Sequence, residues 1–175
     1  GGGTNAPLRG SKFTEWDGGV RVPAIISYPA KFGWGRKIDQ VTGFVDIVPT
    51  LCAMLSVSCK ADRPFDGMDI SPLLTGKTKT LKRDFYLGCG AVVNNDFKFV
   101  LPGMNNSMKL NSEFISYYSS DPYESSNAID KFPVEAKRLK SIAEKYDSIQ
   151  PPFKVVPYGE GREGFIAPKE WKIER

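Results

Sequence analysis

The spacing of apolar positions changes several times along the chain, and each change predicts a different element. Residues 1–19 have no apolar period and are rich in breakers, with Asn5, Pro7, Gly10, Gly18 and Gly19 spread among them, so they predict a loop. The continuous run Val22-Pro23-Ala24-Ile25-Ile26-Ser27-Tyr28 predicts a buried strand stopped by Pro29. Lys31 to Lys37, with Gly33 and Gly35, predicts a surface loop. From Asp46 the period becomes helical: Ile47, Val48, Leu51, Met54 and Leu55 fall on one face, with Asp46 as the expected N-cap and Pro49 accommodated in the first turn. Residues 60–80 predict an irregular connector around Pro64, Gly67, Pro72 and Gly76.

Shorter alternating runs follow. Asp84–Leu87 and Phe97–Leu101 predict two strands with Asn94-Asn95-Asp96 turning between them, and Glu113–Tyr118 predicts a third that completes a small antiparallel sheet. The clearest helix is expected from Pro133 to Ser148. Leu139, Ile142, Ala143, Tyr146 and Ile149 form its buried stripe, Lys137, Lys140, Glu144 and Lys145 lie off it, and Pro151-Pro152 ends it. Residues 153–175 carry three glycines and no period, and predict an irregular tail. No internal repeat and no second domain is visible.

Composition narrows the class. With 175 residues, 41% of them hydrophobic and 25% charged, the chain can bury one compact core and does not have a disordered composition. The net charge of +4 is spread over scattered Lys and Arg, without a basic stripe interleaved with aromatics, so a nucleic-acid partner is not expected. No segment reaches the ~20 apolar residues that span a bilayer, and no leader peptide is expected from the opening GGGTNAP, so no membrane partner is expected either. Cys52, Cys59 and Cys89 show no zinc or C-x-x-C spacing. Three buried thiols are the expected state, with a Cys52–Cys59 bridge as the alternative in an oxidising compartment. Asn105-Asn106-Ser107 is a glycosylation sequon that matters only in a eukaryotic secretory protein. Histidine is absent altogether. Hydrolases often use it for proton transfer near neutral pH, so its absence argues that this chain is not a self-sufficient hydrolase.

Four blocks carry a resemblance. Residues 7–23 read Pro-Leu-Arg-Gly-Ser-Lys-Phe-Thr-Glu-Trp-Asp-Gly-Gly-Val-Arg-Val-Pro. Phe44-Val45-Asp46-Ile47-Val48-Pro49-Thr50-Leu51 follows, then Phe65-Asp66-Gly67-Met68-Asp69-Ile70-Ser71-Pro72-Leu73-Leu74-Thr75-Gly76, then Ser120-Asp121-Pro122-Tyr123-Glu124-Ser125-Ser126-Asn127. In this order the blocks resemble signatures of the sulfatase family, within the alkaline phosphatase superfamily. Ser11 replaces a commoner Gly, and Asp17 a commoner Glu. Ala167-Pro168-Lys169-Glu170-Trp171 resembles, less specifically, the ends of some bacterial arylsulfatases.

The resemblance implies the C-terminal portion of a sulfatase, with a fold of α/β to α+β class. Residues 1–60 would end the catalytic domain with an active-site loop, a strand and a helix; 61–150 would form a C-terminal α+β subdomain, a small antiparallel sheet packed by a C-terminal helix; 151–175 would be tail. It implies hydrolysis of aryl or carbohydrate sulfate esters by formylglycine and calcium, both sited outside this chain. Cys52, Cys59 and Cys89 all lack the formylglycine motif, and the family's paired aspartates and histidines are missing. Lys12 alone carries over as a catalytic and substrate-binding residue, its ammonium placed to touch a sulfate oxygen; no metal ligand carries over. The implied partners are a sulfate ester and the missing N-terminal sulfatase half, and the fragment alone is expected to be inactive. The implied location is periplasmic or secreted, or lysosomal or secretory in a eukaryote. The rival readings are a non-catalytic binding module derived from a sulfatase and a phosphoesterase of the same superfamily.

Among the other charged residues, Arg9 and Arg21 are expected to pair with acids or backbone carbonyls. Asp17 is expected to order the Gly18-Gly19 turn, and Asp66 and Asp69 to be turn residues. Glu113 and Glu124 form no glycosidase pair. Trp16, Trp34 and Trp171 are expected to pack.

Overall fold

A computed structural model describes residues 3–59, 62–103 and 110–149. The sequon, the tail from 150, Trp171 and the 167–171 block lie outside the described residues.

Four strands, β1 (Phe85–Gly88), β2 (Ala91–Val93), β3 (Phe97–Val100) and β4 (Phe114–Tyr117), form one antiparallel sheet in the order β1-β2-β3-β4. Sequence reasoning missed β2, which is only three residues long. Gly88, Cys89 and Gly90, all at positive φ, turn the chain directly from β1 into it. The Asn94–Asp96 turn therefore joins β2 to β3, not the two strands expected on either side of it. The Asn94 carboxamide oxygen accepts the N–H groups of Asp96 and Phe97 and fixes that turn.

Because side chains alternate across a strand, the register sorts the sheet into two faces. On one, Val92, Phe99, Leu101 and Ile115 pack against Ala136, Leu139 and Ala143 of α4 (Pro133–Asp147). Pro133 stands in the first turn of α4, where its missing N–H costs nothing. The expected stripe is correct for Leu139 and Ala143, both fully buried, and Ile142 is half-buried. Tyr146 and Ile149 are exposed instead. At the last turn Tyr146 stacks one ring face on Tyr86, centroids 4.9 Å apart, and leaves the other to water. The second face of the sheet, built from Ala91, Val100 and Phe114, is covered by Trp16.

The N-terminal third departs most from expectation. Residues 22–28 form no strand; they run as exposed chain, with Val22 76% and Ile25 94% accessible. Their sequence has the apolar content of a buried strand, but among the described residues no strand pairs with them, and only the Tyr28 carbonyl, which accepts the Lys31 and Phe32 N–H groups, is bonded to other backbone. A 3₁₀ turn (Phe44–Asp46) leads into α2 (Ile47–Leu55) as the helical period predicts. Its apolar face is open, with Ile47, Val48, Leu51 and Leu55 each about half or more exposed and only Thr50 buried. The connector contains one helical turn, α3 (Ser71–Leu74), where the Asp69 carboxylate accepts the Ser71 N–H and hydroxyl as a turn residue should.

Cys52 and Cys59 are joined in a disulfide and Cys89 is exposed, which corrects the expectation of three buried thiols. The physical reason is that both partners lie at and just beyond the exposed end of α2, within bridging reach, with Cα atoms 6.1 Å apart. Among the described residues, no helix is long and apolar enough to cross a membrane.

Candidate functional site

The glycine-rich segment folds into a closed loop and lies on the sheet face opposite α4. Its backbone returns on itself: the Gly18 N–H donates to the Arg9 carbonyl at 2.7 Å, and the Asn5 amide donates to the Gly18 carbonyl at 2.7 Å. A Cβ on Gly19 would stand 2.0 Å from the Thr14 carbonyl oxygen, and one on Gly18 about as close to that of Gly10, so no side chain fits at either position. One helical turn, α1 (Asp17–Val20), closes the segment that the sequence predicts as loop throughout.

Lys12 stands at the tip of this loop. Residues 11–14 make a tight turn in which the Thr14 N–H donates to the Ser11 carbonyl and the Thr14 hydroxyl bonds Ser11 twice over. Lys12 is exposed, and its ammonium lies 5.0 Å from the exposed Phe13 ring, with no ion pair among the described residues. The base of the loop is as fixed as the tip is open. Trp16 is 3% exposed, edge-on to Phe114 at 5.0 Å, and the Arg9 guanidinium stacks over its ring at 3.7 Å.

Beneath the loop lies a buried ion cluster that sequence reasoning did not find. Lys98 comes from β3, on the same face as Val100, and its side chain is fully buried. Its ammonium meets an Asp17 carboxylate oxygen at 2.6 Å, a Glu124 carboxylate oxygen at 2.8 Å and the Glu15 carbonyl at 2.8 Å. Glu124 also accepts the Asp17 N–H, and the Tyr118 hydroxyl donates to Asp17 at 2.9 Å. The three donors of the lysine thus bind loop, strand and the 120–127 turn in one constellation. Burial pushes the Glu124 carboxyl above its ordinary value even though Lys98 and the Asp17 N–H oppose it. Burial, with the charge of Asp17, also drives the Tyr118 hydroxyl strongly upward.

Asp17 is corrected by this arrangement. Its carboxylate belongs to the ion cluster, with Arg21 at 3.6 Å, and does not brace the Gly18-Gly19 turn. Arg9 and Arg21 behave as expected, Arg9 donating to the Glu124 carbonyl and Arg21 pairing with Asp17. Glu113 and Glu124 face different lysines, Lys140 and Lys98. Trp34 is 86% exposed and does not pack.

A second polar knot holds the approach to α2. Asp46, 1% exposed, accepts the Gly43 and Met68 N–H groups and pairs with Arg83 at 2.6 Å. It stands at the N-cap position of α2 as expected, but its carboxylate caps the 3₁₀ turn and makes no cap bond to α2. Cys89 is a poor nucleophile: burial of its sulfur and the neighbouring Glu15 carboxylate push the thiol up to about 11 although the residue reaches solvent. Among the described residues no group of Cys, Asp and Glu converges as a metal ligand set.

No protein-family model matches the chain. Human steryl-sulfatase is 38% identical over 94 residues, which is 53% of this chain and 16% of that protein. Human arylsulfatase H is 35% identical over 95 residues, 53% of this chain and 17% of that protein, and rat arylsulfatase G is 37% identical over 70, 40% and 13% respectively. The chain thus spans about a sixth of the length of these curated relatives. A Bacteroides thetaiotaomicron chain, BT33336S-sulf, solved in work on the metabolism of multiple glycosaminoglycans, superposes with a TM-score of 0.68 at 22% identity, covering 81% of this chain and 32% of that one.

Proposed function

We propose that this chain, which has the sequence relationships and the fold of a sulfatase C-terminal region, supplies the sulfate-binding lysine of a sulfuric ester hydrolase, with Lys12 as that residue. One observation carries the reading: an exposed lysine, with no ion pair among the described residues, is held at the tip of a loop whose base is locked by three buried charges. Such a loop presents a compact cation in a set position, and its ammonium would touch an oxygen of the sulfate group and stabilise the charge that builds there as the ester bond breaks. Preorganisation of this kind is what makes a single cation effective, because nothing need rearrange when the charge develops.

The rest of the chemistry belongs elsewhere. Formylglycine does not fit the cysteines of this chain, which lack the required context and of which two are bridged, and among the described residues no group of acids converges as calcium ligands. The expected partner is the N-terminal sulfatase half, and the open apolar strip of residues 22–28 with the bare face of α2 is the surface that would receive it. An aryl or carbohydrate sulfate ester is the expected substrate class, and the disulfide suits a secreted, periplasmic or lysosomal setting.

The test is kinetic. In the intact enzyme, Lys12→Ala is expected to lower kcat/KM for an aryl sulfate by about 10²–10³-fold, the usual loss when one preorganised charge-stabilising group is removed. Unchanged kcat/KM would remove Lys12 from the site. The 175-residue chain alone is expected to show no turnover, and sulfate release by it would overturn the division of labour.

A further inference from the structure

The turn at the tip of the glycine-rich loop carries a residue that its backbone does not favour. The Thr14 N–H donates to the Ser11 carbonyl at 3.0 Å, so Lys12 and Phe13 are the two central residues of a β-turn. Of the two, only Phe13 has a positive φ, 73°. That is the pattern of a type II turn, whose third position calls for glycine or asparagine. A phenylalanine there is strained, because its Cβ crowds the following carbonyl oxygen. Burial in the core does not account for it, since Phe13 is 65% exposed. The chain thus places a large ring where the local geometry asks for none.

The Lys12 ammonium stands over that ring, 5.0 Å from its centroid and within cation–π reach. The same pairing holds the base of the loop, where the Arg9 guanidinium lies 3.7 Å over Trp16, but Arg9 is also spent on the Glu124 carbonyl. At the tip the ring has a different consequence. A lysine open to water on a four-carbon stem spreads over many rotamers, and a spread charge is not preorganised. A carboxylate would fix the ammonium but would also neutralise it and occupy its N–H donors. An aromatic face restrains it while leaving its charge and its three donors for an anion. The Thr14 hydroxyl, bonded to the N–H and the carbonyl of Ser11, fixes the turn on which both side chains stand.

We infer that Phe13 is a positioning residue: its strained backbone sets the ring beside Lys12, and the ring holds the ammonium where an ester sulfate arrives. This rests on the reading of Lys12 as the sulfate-binding residue. It assigns Phe13 no contact with the substrate; the ring acts through the lysine alone.

A double-mutant cycle on the intact enzyme tests it, read as kcat and KM for an aryl sulfate. Phe13→Leu keeps an apolar side chain and removes the π face. It should lower kcat/KM by about two- to fivefold, the worth of an exposed cation–π contact, and Phe13→Trp should recover most of that loss. In a Lys12→Ala background Phe13→Leu should have no further effect, because the two residues act as one unit. Stability separates positioning from a structural role. Phe13→Asn suits the left-handed position, so it should raise Tm while lowering kcat/KM as Leu does. A fall in both together would make Phe13 structural and overturn the role. Full activity in Phe13→Leu beside a damaged Lys12→Ala would overturn it as well, leaving the reading of Lys12 intact. A Phe13→Leu loss that persists undiminished in Lys12→Ala would move the ring to the substrate, again against positioning. If Lys12→Ala is itself without effect, both readings fall.

Discussion

Lys98→Met is expected to destabilise the protein by ~3–5 kcal/mol, the range for breaking a buried ion pair from one side. Methionine fills most of the volume but leaves Asp17 and Glu124, 6% and 0% exposed, without their shared cation. Urea unfolding measures the loss, and amide exchange should show Gly18 and Arg21, whose N–H groups close the loop, opening ahead of the sheet. A loss below ~1 kcal/mol would mean that the cluster does not clamp the loop. Lys98→Met combined with Asp17→Asn and Glu124→Gln should recover a large part, because uncharged buried groups need no counter-ion. The pH dependence has a definite sign. The folded Glu124 carboxyl lies above its ordinary value, so its contribution is most favourable below that value, about 4.3, and declines as pH rises through it. Without Lys98 that decline should be steeper.

Asp46→Ala should cost a similar ~3–5 kcal/mol, for the mirror reason: it strands a buried guanidinium and two backbone N–H groups at once. Arg83 has 9% of its side chain exposed, and the Gly43 and Met68 N–H groups have no other acceptor among the described residues. Here acid acts in the opposite direction. Burial alone would raise the Asp46 carboxyl, but Arg83 and the two N–H groups outweigh it and hold it below the ordinary range. Its stabilisation is therefore complete above about 3.9 and is lost as pH falls through the depressed value. Between about pH 4 and pH 2 the wild-type protein should lose stability faster than Asp46→Ala, and thermal melts across that window measure the difference. Parallel curves would exclude Asp46 as the group titrating.

How much of this could be read from the chain depends on how local each cause is. α4 and the Asn94–Asp96 turn are set by neighbours in sequence, and both stand where the periodicity places them. β2 escaped because three residues carry too little alternation to register, and it exists only because β1 and β3 flank it. The loop was legible as a motif, but the Lys98 clamp was not. A lysine between Phe97 and Phe99 reads as the polar side of a half-exposed strand until the loop is seen lying on that side. The one available signal was Glu124 in its Asp-Pro block, a charged residue at a fixed place with no assigned partner. Residues 22–28 failed in the other direction: their composition describes a strand, but a strand is a relationship, and no second strand among the described residues supplies it.

That unpartnered segment decides how the polypeptide would behave during synthesis. Seven residues, apolar at Val22, Ile25 and Ile26 and without a charge, are exposed and pair with no strand among the described residues. Such a stretch will hydrogen-bond to whatever extended chain it meets first, including another copy of itself. Made at high concentration without a sheet edge to receive it, the protein should accumulate as aggregates nucleated at residues 22–28, and a charged residue at Ile25 should keep it in solution.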